Sequence, residues 1–247
     1  MPHPAVRARQ CKSVDAVTLS LAWRQHTKAP LRAYPRDGTL LYSSFMPSLK
    51  APAPKSKSAR PSKTSNPAAK PKILSSDNVF QGRVFHVTRD RVLEPNGITA
   101  IREVIRHSGS VVVLAVDESG PEPRVLLERQ YRYAAQDYML ELPAGRIDPG
   151  EDSLAAGKRE LLEETGYAAR KWTKALFFFP SPGFLEETMT VYLARGLRSG
   201  TAQPEDDELI EHKLVPLSTV LQWILSGKIR DGKTIASVLW YVQRFPK

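Results

Sequence analysis

GRIDPGEDSLAAGKRELLEETGY, residues 145–167, is the stretch around which the rest of the chain is organised. Its Asp148–Gly150 segment is a turn signal, because proline and glycine suit the two central positions of a tight turn. Asp152 is a good N-cap, and Gly166 is a good residue just beyond a helix end. The sequence therefore predicts a helix from about Ser153 to Thr165, directly after a turn.

The predicted helix has an apolar face and a charged arc when its residues are placed at about 100° per residue. The apolar face should pack on the core, and the charged arc should point away from it. Ala156 lies inside the charged arc and Gly157 just beyond it, so these small residues should leave room for a ligand. The apolar residues are Leu154, Ala155, Leu161 and Leu162, and the charged residues are Arg159, Glu160, Glu163 and Glu164.

The charged arc predicts a binding site for a divalent cation. Glu160 and Glu164 are four residues apart, so their carboxylates are neighbours on the helix surface. Adjacent carboxylates repel each other unless a cation joins them, and hard oxygen ligands suit Mg²⁺ or Mn²⁺. Arg159 and Glu163 have the same spacing and should form a pair that orients the site. A solvated acidic helix face is the alternative, but the glycine and glutamate upstream of the helix favour the metal site.

The flanking sequence predicts a mixed β-sheet with helices on its faces. Residues 83–93 and 98–106 are β-rich runs separated by the turn Glu94–Gly97, which is typical of a hairpin. Helical spacing appears at 215–225 and 234–245, after an acidic loop at 204–211. Further strands are predicted at 110–116, 124–131, 138–142, 171–179 and 188–194. We expect one α+β domain over residues 73–247, with an N-terminal antiparallel β arm.

Residues 1–72 differ in composition from this domain. They hold 14 Lys and Arg against 2 acidic residues, a balance of +12, whereas the whole chain has a formal charge of +10. The Pro/Lys/Ser-rich part cannot bury enough apolar surface to offset its ordering entropy, so we expect a disordered basic extension. Met46 is an alternative start of the protein. The functional alternative is a basic tether for nucleic acid or another acidic surface.

The remaining composition narrows the class of protein. The single cysteine, Cys11, excludes an intrachain disulfide and fits a reducing compartment, so we expect a cytoplasmic protein. No run approaches 18 consecutive apolar residues, so neither a transmembrane helix nor a membrane partner is expected. The N-terminus lacks the apolar core of a secretory signal.

The opening stretch resembles the Nudix hydrolase signature, G-x5-E-x7-R-E-U-x-E-E-x-G-U, in which U is apolar. Only the last position departs from it, with Tyr167 in place of an aliphatic residue. The matching residues are Gly145, Glu151, Arg159, Glu160, Leu161, Glu163, Glu164 and Gly166. The resemblance implies an α/β/α sandwich and an enzyme that hydrolyses the pyrophosphate bond of a nucleoside diphosphate derivative, with Mg²⁺ or Mn²⁺.

The same resemblance implies roles for residues of the signature, residues 145–167, which we call the box. Glu160 and Glu164 would be metal ligands, as would the backbone carbonyl of Ala144 just before it. Glu163 would join a second ion or pair with Arg159. Two box residues, Arg159 and Glu151, would orient the site.

Segments outside the box resemble the ADP-ribose pyrophosphatase branch of the family. They are Leu140–Gly145, Ser181–Phe184, Arg102–Val104, Gln130–Arg132 and Asp231–Thr234. The resemblance implies cleavage of ADP-ribose to AMP and ribose 5-phosphate, with GDP-mannose or another nucleotide sugar as the alternative. A non-catalytic nucleotide-sugar sensor is a further alternative, which the intact box disfavours.

Substrate contacts and a catalytic base follow from these segments. Arg102 and Arg132 can supply bidentate contacts to a diphosphate, and Glu103 and Arg146 complete the predicted contacts. Glu187 matches the branch's catalytic loop glutamate. The alternatives are the adjacent glutamate at position 186, a box glutamate, or metal-bound hydroxide without a loop base.

The branch is usually dimeric, so the resemblance also implies a homodimer. Residues 79–106 would then form an N-terminal arm that crosses to the partner.

Overall fold

The structure is a computed structural model that describes residues 69–202 and 209–246. The predicted disordered extension up to residue 68, the alternative start at Met46 and residues 204–208 of the predicted acidic loop lie outside this range. None of the helices in the described part of the chain is long and apolar enough to cross a membrane.

A three-stranded antiparallel sheet begins the described chain, with β1 at Lys72–Gln81, β2 at His86–Leu93 and β3 at Thr99–Arg106. β2 and β3 form the predicted hairpin, whose register pairs His86 with Arg106. Gly97 in its turn has a φ of 81°, which glycine adopts without strain. The predicted arm is therefore confirmed as an antiparallel sheet, and it begins at Lys72 rather than Val79. Every residue of β1 is exposed.

A larger mixed sheet carries the core. Its strand order is β10-β5-β4-β9-β8, with β6 beside β5 and β7 beside β4. β4 and β9 run parallel, and the other pairs are antiparallel. Val111–Val116 in β4 are fully buried, as expected for a central strand. The strands are β4 (Ser110–Asp117), β5 (Arg124–Arg132), β6 (Asp137–Glu141), β7 (Ala144–Arg146), β8 (Tyr167–Phe178), β9 (Met189–Ser199) and β10 (Glu211–Pro216).

In the part of the chain that the structure describes, three α-helices flank this sheet: α1 at Ser153–Thr165, α2 at Leu217–Leu225 and α3 at Gly232–Arg244. The predicted bounds of α1 are confirmed. The Asp152 carboxylate accepts hydrogen bonds from the first turn of the helix, and Gly166 ends it with a φ of 70°. The predicted α+β architecture, a mixed sheet flanked by helices, is confirmed.

The predicted core face of α1 is partly wrong. Leu161 is buried, but Leu162 is 47% exposed and Ala155 is also exposed. The small residues Ala156 and Gly157 are buried instead, and a Cβ added at Gly157 would lie 3.1 Å from the Val111 side chain. These small residues let α1 approach β4 closely, so they do not leave room for a ligand as predicted.

Several element ends also differ from the prediction. β8 begins at Tyr167 rather than 171, and β9 continues to Ser199 rather than 194. The predicted loop at 204–211 and helix at 215–225 are wrong where they overlap β10, which pairs with β5 from Glu211 to Pro216. This pairing joins segments more than 80 residues apart, so the sequence around residues 211–216 does not indicate it.

Candidate active site

Arg159 joins the turn before α1 to the acidic side of that helix. Its Nε and Nη2 atoms donate to the two carboxylate oxygens of Glu151, each at 3.0 Å. Nη2 also donates to the carbonyl oxygen of Arg146 at 3.2 Å. Nη1 donates to Glu160 at 2.8 Å and to Glu163 at 3.1 Å. One guanidinium therefore fastens the turn and gathers three carboxylates, a geometry suited to its planar fork of donors.

These contacts shift the pKa values of both partners in the bidentate pair. Hydrogen bonds to Glu151, and then the charge of Glu160, raise the pKa of Arg159 despite its partial desolvation. The hydrogen bonds from Arg159 lower the pKa of the Glu151 carboxyl. The pair is therefore ionised throughout the neutral range.

Glu160 and Glu164 both lie against the backbone that precedes α1. Glu164 is 4% exposed, and its Oε2 atom accepts a hydrogen bond from the Ala144 amide at 3.2 Å. The Glu160 carboxylate fills the space beside Gly145, where an added Cβ would lie 2.0 Å from its Cδ atom. A residue without a side chain is needed at position 145 for this close approach. Three predicted metal ligands are thus brought together.

The residues in this cluster fit a divalent cation by their chemistry. Carboxylate and backbone carbonyl oxygens are the ligands that hard cations prefer. Over residues 69–202 and 209–246, no three or more His, Cys, Asp or Glu side chains are grouped as a metal site. Glu160 and Glu163 each direct one carboxylate oxygen to Arg159 instead. A cation bound by Glu160 and Glu163 would therefore share their carboxylates with the guanidinium of Arg159.

A second charged cluster connects β5, β6 and the start of α3. Glu141, which is 2% exposed, accepts a hydrogen bond from Arg132 at 2.7 Å and another from the Lys233 ammonium. Burial alone would raise the pKa of Glu141, but Lys233 and Arg132 outweigh it and the pKa is lowered. The charge of Glu164 also acts on Arg132, so the cluster is within electrostatic reach of α1.

The loop between β8 and β9 is tied to the segment that joins β3 and β4. Main-chain hydrogen bonds hold it at Ile105 and at Ser110. Its two adjacent glutamates have different partners. Glu186 accepts a hydrogen bond from the Arg106 guanidinium at 3.2 Å, whereas Glu187 accepts one from the Ser110 hydroxyl at 2.5 Å.

A cleft of about 480 Å³ lies where the β1–β2 turn meets the turn before α1. Arg83, Arg106 and Arg146 line it together with two histidines, and Glu186 stands on its wall. Among the described residues the Arg83 side chain has no ion pair, whereas Arg106 is paired with Asp90 at 2.5 Å. The lining is thus rich in hydrogen-bond donors. Arg146, a predicted substrate contact, faces this space.

Two predicted substrate contacts lie apart from these clusters. Arg102 forms an ion pair with Glu94, and Glu103 pairs with Arg89 at 2.8 Å, so both pairs stay within the N-terminal sheet. In the part of the chain that the structure describes, neither residue has a hydrogen bond or ion pair with α1. Among the described residues, no direct side-chain contact therefore joins them to residues 145–167.

Sequence reasoning missed several side chains that shape the site. Ser110 and Arg106 contact the loop glutamates, and Glu141 and Lys233 form the buried pair behind the box. Each contact joins residues at least 77 positions apart. Two of them, Glu141 and Lys233, fall in segments that resemble the ADP-ribose pyrophosphatase branch, but that resemblance indicates no partner for either residue.

Two family profiles match the chain. The profile described as NUDIX domain covers residues 106–238, and the nucleoside diphosphate sugar hydrolase N-terminal domain covers residues 71–105. The chain is 35% identical over 174 residues to an ADP-ribose pyrophosphatase of Bacillus subtilis (strain 168), covering 70% of this chain and 92% of that one. It is 36% identical over 169 residues to a methanol dehydrogenase activator of Bacillus methanolicus, covering 68% and 90%.

The fold also resembles a solved structure. The crystal structure of an ADP compounds hydrolase superposes with a TM-score of 0.62 over 71% of this chain and 94% of that chain. At 23% sequence identity this likeness shows the fold alone. The NUDIX profile covers more than half of the 247 residues, and it includes the Arg159 cluster and both loop glutamates. The chain therefore belongs to the Nudix family and is a Nudix pyrophosphohydrolase.

Proposed function

We propose that the protein hydrolyses the pyrophosphate bond of a nucleoside diphosphate sugar, with ADP-ribose as its substrate and AMP and ribose 5-phosphate as its products. The observation that carries the proposal is the placement of Glu160 and Glu164 against the Ala144–Gly145 backbone, fastened by Arg159. This is an oxygen-donor site for the cation of a diphosphate substrate. The B. subtilis relative named ADP-ribose pyrophosphatase supports the choice of sugar.

The residues proposed to hold the cation are Glu160, Glu164 and the Ala144 carbonyl, with Glu163 as a ligand of a second ion. Mg²⁺ or Mn²⁺ suits these hard oxygen donors. When bound, the cation would offset charge on the diphosphate in the transition state. The hydrogen bonds between Glu151 and Arg159 hold the turn against the helix, which keeps the proposed metal ligands at fixed distances from one another.

Arginines on two sides of the box are proposed to bind the diphosphate and the sugar. Arg132 is anchored by Glu141 through Nε, which leaves its terminal nitrogens to contact a phosphate oxygen. Arg146 faces the cleft and would contact the substrate there. The donor-rich lining of the cleft suits the hydroxyl groups of a sugar, which accept hydrogen bonds.

Glu187 is the proposed general base, and its surroundings favour it over Glu186. Arg106 binds Glu186 as well as Asp90, so the charge of the Glu186 carboxylate is partly offset by a cation. Glu187 has a neutral hydroxyl as its partner, so no cation among the described residues offsets the charge of its carboxylate. A base needs that charge to take a proton from water. In the proposed reaction Glu187 accepts a water proton, the water oxygen bonds to one phosphorus, and the bridging P–O bond breaks.

A homodimer is proposed from the N-terminal sheet. That sheet and its β2–β3 turn expose several large apolar side chains, and large exposed apolar patches mark sites of protein–protein contact. They include Ile73, Leu74, Val79, Phe80, Ile98 and Ile101. Arg102 and Glu103 lie on the same sheet, so pairing of two chains would let one chain supply them to its partner's site. Sedimentation equilibrium tests this, since a monomer at micromolar concentration would contradict it.

We further propose that residues 1–72 stay outside the catalytic domain and that the enzyme is cytoplasmic, as the composition suggests. Limited proteolysis of the full chain tests the first point, because it should yield a stable fragment beginning near residue 73. The fragment should keep the full activity of the chain.

The activity itself is tested by Mg²⁺-dependent hydrolysis of ADP-ribose, GDP-mannose, NADH and diadenosine polyphosphates, measured side by side. ADP-ribose should give the highest kcat/KM and release AMP. The profile at 71–105 concerns nucleoside diphosphate sugars in general, so GDP-mannose or another nucleotide sugar is the alternative. Hydrolysis of none of them would refute the proposal and would favour a non-catalytic sensor.

A further inference from the structure

We propose that Ser110 is a positioning residue that holds the carboxylate of Glu187, an inference that rests on the proposed function. The Ser110 hydroxyl donates to Oε1 of Glu187 at 2.5 Å. Among the described residues, Glu187 has no other side-chain hydrogen bond or ion pair. This single hydroxyl therefore determines the direction of the carboxylate, and it leaves Oε2 available to a water molecule.

The position of Ser110 is fixed by the sheet. It lies in β4 between Arg146 of β7 and Met189 of β9, and it precedes the fully buried Val111. Its amide donates to the Thr188 carbonyl at 2.8 Å. The hydroxyl is thus presented by a central strand of the core, which is a more rigid support than a loop.

The chain just before Ser110 passes close to the same loop. Gly109 has a φ of +96°, and a Cβ there would lie 2.8 Å from the Thr188 hydroxyl oxygen. The Glu186 amide donates to the Ile105 carbonyl at 2.9 Å, so the loop is held on both sides of Glu187. These backbone contacts do not involve the Ser110 hydroxyl. Removing the hydroxyl should therefore release the Glu187 side chain without releasing the loop.

A released carboxylate would lose its alignment with the attacking water. Misplacement of a reacting group by about 1 Å costs on the order of 100-fold in rate. Removal of a general base altogether costs about 100- to 10,000-fold, which sets the upper limit for the effect of Ser110. The loss should appear in kcat rather than KM, because the base acts on water and not on the bound substrate.

Kinetics with ADP-ribose and Mg²⁺ test the inference. Ser110→Ala should lower kcat by about 10- to 100-fold with KM unchanged, and Ser110→Thr should keep most of the wild-type rate. Ser110→Ala should cause no further loss in a Glu187→Gln background, because its effect acts through that side chain. Ser226→Ala, which removes a surface hydroxyl bonded to the Trp223 carbonyl, is the matched control and should behave as wild type.

Additive losses in the double variant, or a wild-type kcat for Ser110→Ala, would overturn the positioning role. A second measurement does not depend on turnover. The δ-carboxyl ¹³C resonance of Glu187, assigned from its loss in Glu187→Gln, should move in Ser110→Ala and return in Ser110→Thr. An unmoved resonance would overturn the contact, whereas a wild-type enzyme inert on every nucleotide sugar would overturn the proposed function.

Discussion

Replacing Gly145 with alanine should move one proposed metal ligand and leave the fold intact. The added Cβ would lie 2.0 Å from the Glu160 Cδ and Oε1 atoms, which is 1.0 Å less than the 3.0 Å below which an atom must shift. These atoms are at the far end of the flexible Glu160 side chain, so the carboxylate should move and the backbone should stay in place. Gly145 pairs with Val111 in the sheet and does not have a positive φ, so alanine fits its backbone conformation.

The required displacement sets the size of the effect. Moving the Glu160 carboxylate by at least 1.0 Å should lower kcat/KM for ADP-ribose by about 100-fold, or about 2.7 kcal/mol of transition-state stabilisation. The unfolding temperature should change by less than about 4 °C, because no buried packing is lost. The assay is AMP release over a range of Mg²⁺ concentrations, with calorimetry on the same samples.

Gly120→Ala is the matched control, since a Cβ there meets only the Glu122 carbonyl at 3.8 Å. It should keep wild-type activity and stability. Wild-type kcat/KM in Gly145→Ala would show that Glu160 need not lie beside the Ala144–Gly145 backbone for turnover. A large fall in unfolding temperature would show that the backbone takes up the clash, and either result would refute the reasoning.

Three further substitutions test other parts of the structure. Glu164→Gln keeps an acceptor for the Ala144 amide but removes a charge, so kcat should fall by about 1000-fold while circular dichroism and unfolding temperature stay at wild-type values. Lys233→Met removes one of the two cations that contact buried Glu141, so the free energy of unfolding should fall by about 3 kcal/mol and the unfolding temperature by roughly 6–12 °C. Its control, Lys171→Met at an exposed site on β8, should leave both quantities at wild-type values. The Ser76 hydroxyl, aided by Thr88 and by Arg106, lowers the pKa of Asp90 below 3.8. Because the folded pKa is the lower one, this stabilisation is complete above about pH 4 and is lost on acidification. Urea unfolding should therefore show Asp90→Asn less stable than wild type near neutral pH, with the difference shrinking towards about pH 3.

The elements that the sequence predicted well depend on neighbours along the chain. α1 was bounded correctly because its cap at Asp152 and its stop at Gly166 are local signals. The cluster around Arg159 was also predictable, because Glu151, Glu160 and Glu163 all lie within eight residues of it. Residue spacing on a turn and a helix is enough to place such side chains together.

The features that the sequence did not predict depend on distant partners. The buried side of α1 is decided by how closely Gly157 approaches Val111 in β4, and a helical wheel that counts apolar residues does not contain that contact. β10 exists because it pairs with β5. In the same way, the bond between Ser110 and Glu187 joins residues 77 positions apart, and each looks like an ordinary polar residue in its own segment.

The charges of the box connect the proposed metal to the proposed substrate. The guanidinium of Arg159 contacts three carboxylates, those of Glu151, Glu160 and Glu163. A fourth carboxylate, that of Glu164, accepts a hydrogen bond from the nearby Ala144 amide. Arg132, the next cation, is already shared with Glu141. A diphosphate approaching this cluster would meet excess negative charge, which repels it strongly where water is scarce. A divalent cation lowers that excess from three negative charges to one, so binding of the metal and binding of the diphosphate should strengthen each other by the same factor.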